Sequence, residues 1–254
     1  MLDRKSKITS LLKAIETGDD AGIAVINPDK YIQHNPQTHE GGEGLAALFK
    51  RLAKLEPKVA IVRIFEDGDY VFAHTEYDFD TVRIGFEVFR FEGEQTVEHW
   101  DNIQPQMGPN PSGHTMLGGE TSVLDLDNTE INRQRVTSFV QNVLIARDPD
   151  RLPDFIDARS FIEHDPGLSD DLSGLRDALS VAQGQDESIT RYATLHRVLA
   201  QGNFVLSVSE GFRHRDHVAY YDLFRLQDEM IVEHWDTTET VAPPDEWKND
   251  NGKF

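Results

Sequence analysis

Cysteine, long apolar runs and a secretion signal are all missing from this sequence. None of its 254 residues is cysteine, which excludes disulfides, zinc–thiolate sites and a cysteine nucleophile. The longest apolar stretches, such as residues 21–26, are too short to cross a bilayer. The N-terminal residues lack the apolar core of a signal peptide. We therefore expect a soluble, cytoplasmic protein that does not insert into membranes.

Positive charge is also scarce. The chain has 45 acidic and 25 basic residues, a formal net charge of −20, and lysine does not occur between Lys58 and Lys248. Such a surface repels phosphate backbones, so we expect no nucleic-acid partner. A salt-rich habitat is one explanation of the lysine bias, but an ordinary acidic soluble protein is the simpler interpretation.

What the sequence does contain is an internal repeat. Four motifs recur in the same order, with an offset that drifts from 130 to 135 residues through small loop insertions. Two copies are too few for a solenoid, so we expect two similar domains that form an intramolecular pseudodimer, with a further homodimer left open. The recurring pairs are residues 31–36 and 161–166, 67–72 and 201–206, 89–91 and 224–226, and 97–101 and 232–236.

The repeat also sets the predicted domain boundaries. The first domain covers residues 1–106 and the second covers 129–242. Residues 107–128 between them are rich in proline and glycine, so they are predicted to be a linker without a core of its own. Residues 243–254 form a polar tail, for which we expect irregular structure.

Each copy is predicted to begin with helices and to continue with strands. Apolar residues at helical spacing occur from Ile8 to Ile15 and from Val136 to Leu144, and a second short helix is predicted over 44–55 with its counterpart over 174–182. In the first copy, segments rich in β-branched and aromatic residues follow at 59–65, 70–79, 81–91 and 96–103, with glycine turns between them. This order indicates an α+β fold class, with helices packed on one face of a curved antiparallel sheet.

Strand alternation sorts the polar residues of the first copy by face. His99 and Asp101 share one face of the last strand, and Trp100 lies on the other. We predict that one sheet face gathers these two residues with Glu87, and also with His74 and Glu76, in an apolar concavity. Such surroundings shift pKa values toward the range that acid–base chemistry needs.

Other interpretations of the same residues stay open. The His-Trp-Asp sequence also suits a surface pair whose Trp lies in a domain interface, and His74 alone suits a core or edge histidine with satisfied hydrogen bonds. His99 and Asp101 have no third ligand at a recognisable metal spacing, and Cys is absent. We therefore predict no metal site.

The motifs of the first copy resemble those of the SnoaL-like polyketide cyclases, a group of the nuclear transport factor 2-like superfamily. The branch that they are most similar to is that of predicted SnoaL-like aldol-condensation enzymes. The resemblance covers most of residues 5–106 and, less tightly, 130–240. It implies two tandem cone folds, in which helices close a curved sheet over a pocket. The motifs that carry it are Tyr31-Ile32-Gln33-His34-Asn35-Pro36, Asp67-Gly68-Asp69-Tyr70-Val71-Phe72-Ala73-His74, Glu87-Val88-Phe89-Arg90-Phe91 and Glu98-His99-Trp100-Asp101.

The resemblance also implies site residues. The acid–base group of the cyclases corresponds to Asp101 in the first copy, and the assisting position corresponds to Glu87. The cyclases have His at the assisting position, so the Glu87 carboxylate departs from their pattern and argues against a polyketide substrate. Expected pocket-lining residues are Tyr31, His34, Asn35, Phe72, Glu76 and Phe89. The counterparts in the second copy are His164, Asp165, Glu210, Asp222, His234 and Asp236.

The leading functional hypothesis is an enzyme without a cofactor that acts on a small hydrophobic carbonyl compound by aldol, cyclase or isomerase chemistry. Asp101 would remove a proton α to the carbonyl, beside Glu87, and His99 or His74 would hydrogen-bond the enolate oxygen. The alternatives are a pocket that binds a small ligand without chemistry and a scaffolding pseudodimer whose pockets are filled.

Of the two copies, the first is the preferred candidate for an active site. It retains more of the family pattern, since His74 and Asn35 are replaced by Val208 and Asp165 in the second copy.

Overall fold

A computed structural model describes residues 3–180 and 190–254, with residues 20 and 21 described by their backbone only. The chain divides into two compact units. Unit 1 consists of Met1–Gln106 and Val241–Phe254, and unit 2 consists of Met107–Thr240. Each unit has helices and one five-stranded sheet, and the two sheets have equivalent strand orders. The predicted fold class, α+β in tandem, is confirmed.

Unit 1 begins with its helices and ends its first segment with a meander. In its sheet, β1 lies parallel to β5, and the remaining neighbours are antiparallel, in the order β1-β5-β4-β3-β2. The helices are α1 (Arg4–Thr17), α2 (Asp20–Ile23) and α3 (Gly41–Leu52), and the strands are β1 (Ile32–Gln33), β2 (Lys58–Asp67), β3 (Tyr70–Asp78), β4 (Val82–Glu92) and β5 (Gln95–Pro105).

Unit 2 repeats this plan in the order β6-β10-β9-β8-β7. Its first helix, α4, continues into a π-helical turn over Val140–Ile145. The helix predicted over 174–182 corresponds to α6, and positions 181 and 182 lie outside the described residues. The helices are α4 (Thr129–Phe139), α5 (Leu152–Phe155) and α6 (Ser173–Ser180), and the strands are β6 (Ile162–Glu163), β7 (Thr190–Gln201), β8 (Phe204–Arg213), β9 (Asp216–Gln227) and β10 (Met230–Thr240).

Helix α1 shows why the sequence folds locally as it does. The Asp3 carboxylate accepts the backbone N–H of Ser6 at 2.7 Å and so caps the first turn, while Gly18 ends the helix in the left-handed region at φ 67°. Its apolar stripe, which includes Ile8 and Leu11, is buried in the core of unit 1. Burial of each such side chain contributes roughly 1.5–3 kcal/mol, so packing rather than helix propensity holds α1 in place.

The predicted linker and the predicted tail are where the structure differs from the sequence analysis. Residues 107–128 belong to unit 2 and residues 243–254 belong to unit 1, and both are docked. The Asn110 amide donates to the Glu163 carbonyl at 2.7 Å, and the Asn249 amide donates to the Asn35 carbonyl at 2.8 Å. These segments dock through polar side chains that bond to backbone groups, which leaves no apolar periodicity for sequence analysis to detect.

Within the described part of the chain, every helix is too short or too polar to cross a bilayer.

Candidate active site

A cavity of about 210 Å³ lies in unit 1, between the sheet and helices α1 and α3. Its walls are apolar, with Leu11 and Leu12 from α1 and Leu45 and Phe49 from α3. Its polar surface comes from the sheet and from the loop around β1. The polar and aromatic residues that line it on that side are Tyr31, Gln33, Asn35, Tyr77, Glu87, Phe89, His99 and Asp101.

The register between β4 and β5 gathers the main polar groups. Glu87 is paired with Asp101 and Phe89 is paired with His99, so all four side chains point to the same face. Trp100 pairs with Val88 on the opposite face, as predicted. Glu87, His99 and Asp101 are all at most 6% exposed, and charged groups at that depth need partners.

Glu87 and His99 form a hydrogen-bonded pair. The Asn35 backbone N–H donates to Gln33 Oε1, and His99 Nδ1 lies 3.1 Å from the same oxygen. Nδ1 must therefore donate its own hydrogen, because that amide oxygen can only accept. His99 Nε2 lies 2.7 Å from Glu87 Oε2, so this contact requires a proton on one of the two atoms. The Tyr77 hydroxyl donates to the other oxygen, Glu87 Oε1, at 2.8 Å.

Asp101 is held by a different set of donors. The Asn35 side-chain amide donates to Asp101 Oδ2 at 2.6 Å, and the ammonium of Lys253 lies 3.5 Å from Asp101 Oδ1. Asp101 is therefore held in the cavity wall with a hydrogen-bond donor at one carboxylate oxygen and a cation beside the other.

Tyr31 presents a buried hydroxyl to the same cavity. The side chain is 3% exposed, and no described residue lies within hydrogen-bond distance of its Oη. Burial, reinforced by the charges of Glu87 and Asp101, raises the pKa of Tyr31 well above its usual value of 10. The group is therefore a neutral O–H that can donate to an acceptor placed in the cavity.

Glu87, His99 and Asp101 could also be considered as metal ligands. One donor atom from each lies within 4.8 Å of the other two. However, both ring nitrogens of His99 are engaged by Gln33 and Glu87. The Lys253 ammonium beside Asp101 would also repel a cation. The donor set therefore fits acid–base chemistry better than metal binding.

Three predicted site residues lie on the other face of the sheet. His74 is paired with Phe86 in the β3–β4 register, whereas Ala73 is paired with Glu87. The prediction that His74, Glu76 and Phe72 face the pocket was wrong, because the register between β3 and β4 puts the odd-numbered β3 positions on the cavity side.

His34 is likewise not among the residues that line the cavity. It stacks on Trp100 at 4.6 Å, and its Nε2 lies 2.9 Å from Glu98 Oε1. Sequence reasoning also missed Gln33, Tyr77 and Lys253, since their roles depend on contacts between distant parts of the chain.

The equivalent cavity of unit 2 is nearly filled. The described residues leave a space of about 30 Å³, close to the size of one water molecule. Phe161 takes the position of Tyr31, so the hydroxyl is absent, and Phe139 from α4 lines the cavity where α1 contributes Leu11. Large side chains thus occupy space in unit 2 that is open in unit 1.

The polar groups of unit 2 are also rearranged. His234 Nδ1 lies 2.8 Å from Glu163 and its Nε2 lies 3.2 Å from Asp222. Burial lowers the pKa of His234, but the charge of Glu163 and the hydrogen bonds to both carboxylates outweigh it and hold the pKa well above 6.5. Burial, with the nearby charge of Asp165, raises the pKa of Asp236 well above its usual value of 3.8.

Two further residues of the second copy, His164 and Glu210, lie outside this group. His164 stacks on Trp235 at 4.8 Å, as His34 does on Trp100. The Glu210 carboxylate lies between His196 and His217, at 2.9 and 2.8 Å. Neither residue lines the small cavity.

One exchange of large and small residues distinguishes the two sheets. In unit 1, a Cβ on Gly85 would lie 2.7 Å from the ring of Tyr77, and in unit 2 a Cβ on Gly211 would lie 2.8 Å from the ring of Tyr220. Tyr77 thus corresponds to Gly211, and Gly85 corresponds to Tyr220, so the large and the small residue have exchanged strands between the two units. Tyr192 of β7, stacked on Tyr220, then supplies the hydroxyl to Asp222 that Tyr77 supplies to Glu87.

Each unit is thus an α+β domain whose helices cover one face of a curved sheet, and the first encloses a pocket lined with acid–base groups. Residues 8–99 match the family model of the SnoaL-like domain. The first copy is thus similar to the SnoaL-like domain over these residues, which confirms the resemblance found in the sequence, and the second copy has the equivalent strand order.

Several solved structures are similar to part of the chain. IdmH, a putative polyketide cyclase from Streptomyces antibioticus, is 18% identical, with 40% of this chain and 93% of IdmH covered and a TM-score of 0.36. TsrD from Streptomyces laurentii is 20% identical over 41% of this chain and 92% of TsrD, also with a TM-score of 0.36. An NTF-2 like protein of unknown function from Burkholderia xenovorans is 18% identical over 42% and 86% of the two chains, with a TM-score of 0.37. No curated protein matches this chain at a significant level.

Proposed function

We propose that the first copy is an enzyme that removes a proton α to the carbonyl group of a small, largely apolar compound. The observation that carries this proposal is one cavity, of about 210 Å³, that contains both the Asp101 carboxylate and a Tyr31 hydroxyl without a described partner. A base and a neutral donor in one apolar pocket are the two groups that enolisation requires.

The proposed step moves one proton. A carboxylate oxygen of Asp101 takes the α proton, and the electron pair of the C–H bond moves to form the enolate. The developing charge on the carbonyl oxygen is stabilised by the Tyr31 O–H. Tyr31 replaces His99 and His74 in this role, because His74 lies on the opposite face and both ring nitrogens of His99 are engaged.

The Glu87–His99 pair acts as support for this step. Its contacts to Tyr77 and Gln33 fix the orientation of the polar wall. Arg90 lies on the opposite face of the sheet, where it forms ion pairs with Glu98 and Glu92. It therefore does not pair with the cavity carboxylates.

A solvent-deuterium exchange assay tests the proposal. A panel of small enolisable ketones is incubated with the wild type in D₂O, and α-deuterium incorporation is followed by NMR. We expect Asp101→Asn to lose at least about 100-fold of the exchange rate. Asp236→Asn, the matched change in the nearly filled unit 2, should retain it. Equal rates in the wild type and Asp101→Asn would reject the proposal.

The second candidate function, ligand binding without chemistry, has its own outcome. A wild type that binds the ketones, as measured by calorimetry, without incorporating deuterium would support it. Because Asp101→Asn leaves the Lys253 charge buried without its carboxylate, a thermal melt must accompany the assay.

For the second copy we propose a structural role. Its cavity of about 30 Å³ is too small for a carbonyl compound, and Phe161 lacks the hydroxyl of Tyr31. Filled pockets are the feature that a scaffolding copy is expected to have.

A further inference from the structure

The segment that follows the second copy in sequence is fixed to the first copy's site. Val241–Phe254 belongs to unit 1, where the Asn249 amide donates to the carbonyls of Asn35 and Thr38 at 2.8 and 3.0 Å. The Asn251 amide donates to the Gln33 carbonyl at 3.0 Å. The three acceptors belong to residues of β1 and of the loop that follows it, and all three residues line the cavity, so the segment is held against the site.

This docking carries a lysine into the interior. Lys253 is 2% exposed, and its ammonium lies 3.5 Å from Asp101 Oδ1. A lysine at that depth requires a charged partner, since the cost of removing an ammonium from water is high. Asp101, on which the proposed chemistry depends, is the partner that the structure provides.

The second copy shows that the charge is not needed for docking. There, His164 Nδ1 lies 2.6 Å from the carbonyl of Thr115, just as His34 Nδ1 lies 2.9 Å from the carbonyl of Gly252. The next residue is Met116 in unit 2 and Lys253 in unit 1, and both are buried. An uncharged side chain of similar length thus fits the equivalent position.

We propose that Lys253 is a positioning residue of the first copy's site, where its ammonium and the Asn35 amide together hold the Asp101 carboxylate. The Asn35 amide bonds to Oδ2 and the ammonium lies beside Oδ1. Between them they fix the carboxylate plane. The use of Asp101 as the base rests on the proposed function, but the pairing itself can be measured without any activity.

Other ionisable groups share this environment and must be considered with it. A negative charge on Glu87 opposes the effect of Lys253, and Glu87 is itself hydrogen-bonded to His99. The titratable or charged groups that face the cavity with Asp101 are Tyr31, Arg51, Tyr77, Glu87 and His99, with Lys253 from the docked segment.

The test compares three variants. Lys253→Met introduces the residue found at the equivalent position of unit 2, Met116, and Lys253→Arg keeps the charge. Lys248→Met is the control, since it makes the same change at an exposed position of the same segment. The titration midpoint of Asp101 is followed by carboxyl ¹³C NMR, with the signal assigned from Asp101→Asn. We expect Lys253→Met to raise the midpoint by at least about one pH unit. Lys253→Arg should restore most of it, and Lys248→Met should not change it.

A second readout separates positioning from a general structural role. In the exchange assay, Lys253→Met should move the acidic limb of the kcat profile to higher pH by the same amount, with KM changed by less than about threefold. Asn249→Ala removes the two hydrogen bonds by which the Asn249 amide holds the segment. It should raise the titration midpoint of Asp101 in proportion to the loss of protection against amide hydrogen exchange at residues 249–252.

The outcomes distinguish the two proposals. If the midpoint is the same in the wild type and in Lys253→Met, or if Lys253→Arg and Lys253→Met shift it equally, the role of Lys253 is overturned. If the midpoint shifts as expected but the wild type exchanges no ketone proton, the pairing stands and the proposed enzymatic function fails.

Discussion

Removal of the Tyr31 hydroxyl should raise stability and lower ligand affinity at the same time. Tyr31→Phe introduces the residue that the second copy has at Phe161. The hydroxyl is buried and has no described partner, and a buried polar group without a partner costs about 1–3 kcal/mol. We therefore expect the free energy of unfolding to rise by about 1 kcal/mol.

The effect on ligands follows from the same hydroxyl. A neutral hydrogen bond contributes about 0.5–1.5 kcal/mol, and a bond to a charged acceptor contributes about 1.5–3 kcal/mol. Ketone affinity should thus fall by about 2- to 12-fold. The affinity for an anionic enolate analogue, and the exchange rate, should fall by about 12- to 150-fold.

Calorimetry supplies both measurements. Titration calorimetry compares a ketone with an enolate analogue, and scanning calorimetry gives the melting temperature, for which 1 kcal/mol corresponds to about 3–6 °C in a domain of this size. A loss of more than about 1 kcal/mol of stability in Tyr31→Phe would show that the hydroxyl has a structural partner, and an unchanged preference for the enolate analogue would refute its catalytic role. Phe161→Tyr is the control, since it should alter neither ligand binding nor exchange.

Two further predictions concern unit 2. The pKa of His234 is held well above 6.5 in the folded protein, so the stabilisation that its protonation provides is complete below about pH 6.5. This stabilisation is lost as the pH rises through the folded-state pKa, and the free energy of unfolding falls by up to about 1.4 kcal/mol per pH unit. Urea unfolding between about pH 6 and pH 9 measures this slope, which should be smaller in His234→Gln; identical slopes would show that His234 is not the cause. Gly119→Ala should destabilise unit 2 by more than about 2 kcal/mol, because φ is +88° and the new Cβ would lie against the Glu233 carboxylate. Gly113→Ala is the control, because Gly113 has φ +89° but open space around the new Cβ, and it should cost only about 1 kcal/mol of backbone strain. If Gly119→Ala and Gly113→Ala lose equal stability in thermal melts, the docking of residues 107–119 is contradicted.

The sequence was a good guide to the elements because their signals are local. The four strands predicted for the first copy correspond to β2, β3, β4 and β5 with ends that differ by a few residues. The glycines predicted in the turns, Gly68 and Gly93, adopt positive φ of 58° and 59°, as tight hairpins require. Alternation within β5 correctly placed His99 and Asp101 on the face opposite Trp100.

Relations between strands were less predictable. Alternation fixes which residues of one strand share a face, but the pairing of β3 with β4 decides which face that is. A shift of one residue sends every side chain to the other side. For this reason His74, which looked like a catalytic residue, is paired with Phe86 away from the cavity.

By itself, the sequence determined the duplication, the α+β fold class and the position of Asp101 on the last strand of the first copy. These follow from repeated motifs, periodicity and family resemblance, each of which is contained in short segments of the sequence. Only the tertiary structure decided that one copy has an open cavity, that Tyr31 presents a hydroxyl to it, and that Lys253 reaches Asp101 across 152 positions of sequence. The physical reason is that a cavity and an ion pair depend on contacts between side chains that are far apart in the sequence. No periodicity along the chain indicates which of these side chains come into contact.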